Sequence, residues 1–140
     1  MNHHRKILFV CVENSCRSQI AEAFAKIDGE DIFEAYSAGS HPSGEVNPRA
    51  IASMQRIGYD MASHHSKSLL EVPDITYDFV ITMGCGDACP DTKALVRLDW
   101  DITDPKEMPP LQFDAIRDLI RSKIRELIIE YGLRSPPLSK

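Results

Sequence analysis

No run of apolar residues approaches the roughly 20 needed to cross a bilayer, so nothing in the chain marks a membrane span. Near the amino terminus only residues 7–12 are apolar, too few for a signal-peptide core, and no small-residue cleavage site follows. A cytoplasmic location, where thiols are kept reduced, is therefore the expectation. Repeats and low-complexity segments are also missing, and no composition shift marks a domain boundary. Excess positive charge is absent too: the formal net charge is −5, which argues against nonspecific attraction to nucleic acid. An anionic substrate would have to be captured by a local site.

At 140 residues the chain is long enough for one core and too short for two. We expect a single domain over residues 1–132 and a disordered tail over residues 133–140. Four cysteines stand out: Cys11, Cys16, Cys85 and Cys89. Two disulfides or a zinc site are open to them, but in a reducing compartment catalytic or metal-binding roles take precedence.

Residues 7–10 form a continuous apolar run, as in a parallel strand buried on both faces. Residues 18–26 read as a helix with Ile20, Ala23, Phe24 and Ile27 on one face, and residues 33–38 as a second strand ended by Gly39. Asn47-Pro48 is an N-cap followed by proline at the first helical position, with Ile51, Met54 and Ile57 at helical spacing and Gly58 as the stop. A short helix is expected over residues 67–71, a third strand over 77–83 and a weaker fourth over 94–98. In the last helix Phe113, Ile116, Leu119, Ile120, Ile124, Leu127, Ile128 and Tyr131 make one apolar stripe, closed by Gly132. Strands alternating with helices predict a small α/β domain with a parallel sheet. Ligands of such sheets sit beyond the carboxyl ends of the strands. Cys11, the loop after Met83 and Asp104 would share that edge.

The segment richest in chemistry is Cys11-Val12-Glu13-Asn14-Ser15-Cys16-Arg17-Ser18, running from the end of a strand into the start of a helix. Backbone N–H groups of such a loop, with the helix N-terminus, make a cradle for a tetrahedral oxyanion. Arg17 adds a planar fork of donors. The same field favours a thiolate at Cys11, to which Ser18 can donate a hydrogen bond. A bare Cys-five residues-Arg spacing is weak by itself; the strand before it, the helix after it and Ser18 beside Arg17 supply the required context.

With these residues in place, the chain resembles the low-molecular-weight tyrosine phosphatases and the arsenate reductases that share their fold. The resemblance runs from about Lys6 to about Tyr131 and includes residues 11–24, Tyr36-Ser37-Ala38-Gly39-Ser40, Asn47-Pro48, residues 82–90 and Asp104-Pro105. It implies a four-stranded parallel sheet flanked by helices, with Cys11 attacking the oxyanion. Asp104 matches the general acid that protonates the departing oxygen.

Within that group, reduction of arsenate needs further thiols to release arsenite and resolve a disulfide, and Cys85 and Cys89 match the two relay cysteines. Only three residues separate them, a shorter spacing than the commonest thioredoxin-linked pattern. Their loop is expected to be mobile, because Cys89 must reach the surface for reduction. Lys106-Glu107 stands where phosphatases of this fold carry aromatic residues, which favours arsenate over phosphotyrosine, although phosphate or aryl phosphates fit the same cradle. Asn14, Glu22 and Ser37 match a potassium-binding set in some relatives, and Lys67 stands where an acidic partner is expected, so its ammonium would replace the ion. No bound cofactor or metal is expected. The reductant would be an external thiol: thioredoxin first, with glutaredoxin or mycothiol as alternatives.

Glu13 has no evident role in the sequence. Cys16 is either an inert loop cysteine or a trap for an oxidised Cys11. Three rival readings stand beside the reductase. One is a tyrosine phosphatase. Another is a zinc- or arsenite-binding protein using Cys85 and Cys89 with His64, His65 or Cys11, although strong zinc signatures show two paired clusters. The third, a redox sensor without turnover, leaves Arg17 and Asp104 idle. His3, His4 and His41 read as solvated, and His64-His65 as a polar turn.

Overall fold

The computed structural model describes residues 4–84 and 92–133. Cys85 and Cys89, their loop and the tail from residue 134 lie outside the described residues. The element order is β1 (Arg5–Cys11), α1 (Arg17–Asp28), β2 (Phe33–Gly39), α2 (Pro48–Gln55), a single 3-10 turn (Leu69–Glu71), β3 (Tyr77–Thr82), β4 (Ala94–Asp99) and α3 (Pro110–Glu130). The four strands pair in the order β2-β1-β3-β4, and every pairing is parallel.

β1 explains the architecture. Its apolar run is buried on both faces because its side chains alternate. Ile7, Phe9 and Cys11 join the larger core with Ile20, Phe24, Ile120 and Ile124 of α1 and α3. Leu8 and Val10 join a smaller core with Tyr77 and Val80. β4 alternates half-buried and exposed positions, as an edge strand does, which is why its sequence pattern is weaker.

Asn47 caps α2 by accepting a hydrogen bond from the Arg49 N–H at 2.8 Å, with Pro48 at the first helical position. α2 nonetheless packs through Ala50 and Met54, one helical turn apart, whereas Ile51 and Ile57 are more than a third exposed. On α1, Ile27 likewise turns outward. On α3 the buried positions are Phe113, Arg117, Ile120, Ile124, Leu127 and Ile128. Leu119, expected in this stripe, is 41% exposed, because one residue is about 100° of helix and Ile120 holds the inward position. Arg117 occupies a stripe position that charge argued against, and its Nη1 donates to the Ser53 carbonyl at 2.9 Å.

The helix expected over residues 67–71 shrinks to the 3-10 turn, closed by a reciprocal capping box between Ser68 and Glu71. Lys67 instead runs beside the sheet, its carbonyl accepting from Gly39 N–H. Met83 lies just past β3, although its N–H still bonds to the Val10 carbonyl at 2.8 Å. Among the described residues no helix is long and apolar enough to cross a membrane.

Candidate active site

Residues 12–16 leave the carboxyl end of β1 and enter α1, and the loop is fastened from outside. The carbonyl of Cys11 accepts from Ser40 N–H, that of Val12 from His41 N–H, that of Glu13 from Ser43 N–H and that of Ser15 from Asn47 N–H. The Asn14 carbonyl accepts from Gln19 Nε2 at 3.1 Å. In a trans peptide the N–H is opposed to the C=O. Turning five successive carbonyls outward therefore turns the N–H groups of residues 12–16 inward. Asn14 takes a left-handed backbone conformation (φ 52°) to close the curve. β2 presses close behind it, and a Cβ at Gly39 would stand 2.6 Å from the Val12 carbonyl oxygen.

Inside the curve is a cavity of about 180 Å³ lined by Cys11, Val12, Glu13, Ser15, Cys16, Arg17 and Asp104. Arg17 is buried. Its Nη1 donates to the Ile102 carbonyl at 3.0 Å, and its Nη2 lies 3.7 Å from Asp104 Oδ2. Its buried Nε has no partner among the described residues. A charged donor buried without an acceptor is costly, and an oxyanion in the cavity would satisfy it. Gly84 backs the guanidinium: with φ +78°, a Cβ there would fall 2.3 Å from Nη1. Asp104, half exposed, arrives on the segment after β4, so all these residues meet at the carboxyl edge of the sheet.

A buried polar chain supports Cys11. Its Sγ is 2.9 Å from Ser18 Oγ, and Asn14 Nδ2 donates to that same Oγ at 2.7 Å. The orientation of Asn14 is fixed because its Oδ1 faces the Lys67 N–H at 3.0 Å and Gln19 Nε2 at 2.8 Å. Ser18 Oγ thus already accepts, leaving its proton for the sulfur. Gln19 Oε1 faces His64 Nδ1 at 2.9 Å, so that nitrogen carries the hydrogen, and Nε2 meets the Tyr59 hydroxyl at 2.8 Å. Burial holds His64 below the usual imidazole range, against the opposing pull of Glu22. His64 does close a turn, its N–H bonding to the Met61 carbonyl at 2.9 Å, but its ring is a link in this chain and not a solvated side chain. Both its nitrogens are occupied, and among the described residues no group of three metal-ligating side chains converges.

Beside this chain, Glu22 accepts from Ser37 Oγ at 2.5 Å and from Lys26 at 2.7 Å. Lys67 Nζ lies 3.7 Å from Glu22 Oε1, 3.4 Å from Ser37 Oγ and 3.1 Å from the His65 carbonyl. Burial alone would raise the Glu22 carboxyl, but bonds from Lys26 and Ser37 and the charge of Lys67 hold it below the ordinary carboxylate range. Cys16 is buried, and burial pushes its thiol up to about 12, so it rests as a neutral thiol.

Glu13 finds its partner here: Lys106 Nζ donates to its Oε2 at 2.9 Å. The pair and the Gln19–His64–Tyr59 chain escape sequence reasoning, because opposite charges 93 residues apart and an amide and imidazole 45 residues apart leave no local pattern.

A family model described as low molecular weight phosphotyrosine protein phosphatase matches residues 6–134. Arsenate reductase 1 of Staphylococcus epidermidis is 39% identical over 125 residues, covering 86% of this chain and 92% of that protein. A solved arsenate reductase in its phosphate-binding state superposes with a TM-score of 0.81 at 34% identity, over 90% of this chain and 98% of that one. A thioredoxin-dependent arsenate reductase of Corynebacterium glutamicum gives a TM-score of 0.75 at 32% identity, over 93% of this chain and 63% of that one. The parallel sheet, the loop from β1 into α1 and these matches agree, and the chain belongs to the low molecular weight phosphotyrosine protein phosphatase family.

Proposed function

We propose that this protein reduces arsenate to arsenite, with Cys11 as nucleophile and Cys85 and Cys89 as relay thiols. The observation that carries the reading is one cavity lined by Cys11, Arg17 and Asp104, with the buried Nε of Arg17 unpartnered among the described residues. Cys85 follows directly in the chain after Gly84, the residue that backs Arg17, and Cys89 four residues later. The similar arsenate reductases support the choice of substrate.

The Cys11 thiolate attacks arsenic, an As–O bond breaks, and Asp104, as general acid, gives the leaving hydroxyl oxygen a proton so that it departs as water. Inward N–H groups and the Arg17 fork hold the remaining oxygens. The Cys85 thiol then attacks Cys11 sulfur. The S–As electron pair stays on arsenic, which leaves as arsenite, and a Cys11–Cys85 disulfide forms. Cys89 exchanges into that disulfide and frees Cys11. An external dithiol reduces the Cys85–Cys89 bond, and no bound cofactor takes part. Thioredoxin is the favoured donor, because the similar arsenate reductase of Corynebacterium glutamicum is thioredoxin-dependent.

Lys67 supplies at Glu22 and Ser37 the positive charge that a potassium ion would bring. The phosphatase reading needs Cys11, Arg17 and Asp104 but neither relay cysteine. Steady-state assays separate the two. Arsenate-dependent oxidation of reduced thioredoxin, lost in Cys89→Ser, supports the reductase. Hydrolysis of p-nitrophenyl phosphate with no arsenate turnover under thioredoxin, glutaredoxin or mycothiol supports the phosphatase.

A further inference from the structure

We propose that Glu13 and Lys106 form a fence at the mouth of the Cys11 cavity that favours bare tetrahedral oxyanions over their aryl derivatives. The inference rests on the reading of this cavity as an oxyanion site and names what sets its substrate class.

Glu13 and Asp104 both line the cavity, and Lys106 stands two residues beyond Asp104. The 2.9 Å ion pair of Glu13 and Lys106 therefore joins the oxyanion loop to the segment carrying the acid. Both backbones are anchored. The Lys106 N–H donates to Asp104 Oδ1 at 3.1 Å, and its carbonyl accepts from Asn47 Nδ2 and Arg49 Nη1, each at 3.3 Å. The Glu13 carbonyl accepts from Ser43 N–H at 3.1 Å and Ser66 Oγ at 2.9 Å.

The pair is 37–44% exposed, so it lies at the rim and not among the inward N–H groups. A bare arsenate or phosphate seats its oxygens inside. An ester carries its organic group on the leaving oxygen, the atom Asp104 serves, and that group must pass the Lys106 side chain to reach solvent. Water leaves without disturbing the pair, whereas an aryl group must part it. Charge supports the same assignment: Glu13 alone would repel a dianion, and Lys106 neutralises it.

The test compares binding of inorganic phosphate and phenylphosphonate by calorimetry, in wild type, Glu13→Gln, Lys106→Ala and the charge-swapped double variant Glu13→Lys/Lys106→Glu. A half-exposed ion pair sustains an effect of about two- to fivefold. Each single variant should raise the phenylphosphonate-to-phosphate affinity ratio by that much, and the swapped pair should restore the wild-type ratio. In wild type, salt should raise the ratio by screening the pair, and in Lys106→Ala it should not. Unchanged ratios in both single variants, with phosphate bound normally, would overturn the fence. Failure of wild type to bind phosphate at all would instead overturn the oxyanion site, and the fence with it.

Discussion

Ser18 receives a hydrogen bond from Asn14 and stands 2.9 Å from Cys11 sulfur, so a chain of hydrogen bonds leads from Tyr59 to that sulfur. Neutral His64 is one link of it. Its folded-state value lies below that of a free imidazole, so on acidification the unfolded chain takes up the proton first. Stability is then complete above about pH 6.5 and falls as pH drops below it. Denaturant midpoints measured from pH 5 to 7.5 should show this slope in wild type and a flatter one in His64→Gln. Arg17→Lys keeps the charge but loses the fork and the Nε–H. A charge-assisted bond is worth about 1.5–3 kcal/mol, so phosphate binding should weaken by about 10–100-fold in calorimetry, and an unchanged affinity would contradict the assigned role. At this scale Cys11, Arg17 and Ser18 are legible because loop chemistry concentrates them in eight residues. Glu13, Gln19 and His64 are not, because their partners are brought together only by the fold.

Elements are legible wherever apolar residues form an unbroken pattern, a continuous run in β1 or a helical stripe in α3. β1, α1 and α3 appear in the sequence at nearly their observed extents. Errors arise where polarity and position disagree: Arg117 is buried because it reaches the Ser53 carbonyl, while Leu119 and Ile51 point outward. The turns make a sharper test. Gly58 and Gly84 both have positive φ, but a Cβ at Gly58 meets nothing within 4 Å, whereas at Gly84 it meets Arg17. Gly58→Ala should cost about 1–2 kcal/mol of stability through its backbone alone and leave phosphate affinity intact. Gly84→Ala should cost at least as much and also weaken phosphate binding, because the guanidinium must move. Equal phosphate affinity in the two variants would remove Gly84 from the site.

For the whole molecule, the sheet order β2-β1-β3-β4 with parallel strands gathers the ends of β1, β3 and β4 on one edge. Residues 11, 84 and 104 meet there although the chain separates them widely. That much follows from alternating strands and helices. The charge arrangement beneath the loop does not, because Glu22, Ser37 and Lys67 come from α1, β2 and the segment before the 3-10 turn. With Lys67 in place, activity should be indifferent to added potassium. Lys67→Ala should lower stability by less than the roughly 3–5 kcal/mol of a fully orphaned buried charge, since Lys26 stays on Glu22, and should acquire a potassium response. Clear potassium activation of wild type would refute the substitution.

The central claim is that this oxyanion site feeds electrons from the protein's own thiols into arsenate. The direct measurement is to mix fully reduced protein with excess arsenate, without other reductant, and count free thiols and arsenite. Of the four cysteine thiols, two should remain, with one arsenite per protein; the change should vanish in Cys11→Ser and Cys85→Ser, whereas Cys89→Ser should still release one arsenite and stop at a Cys11–Cys85 disulfide. Four thiols retained with no arsenite released would contradict the internal relay.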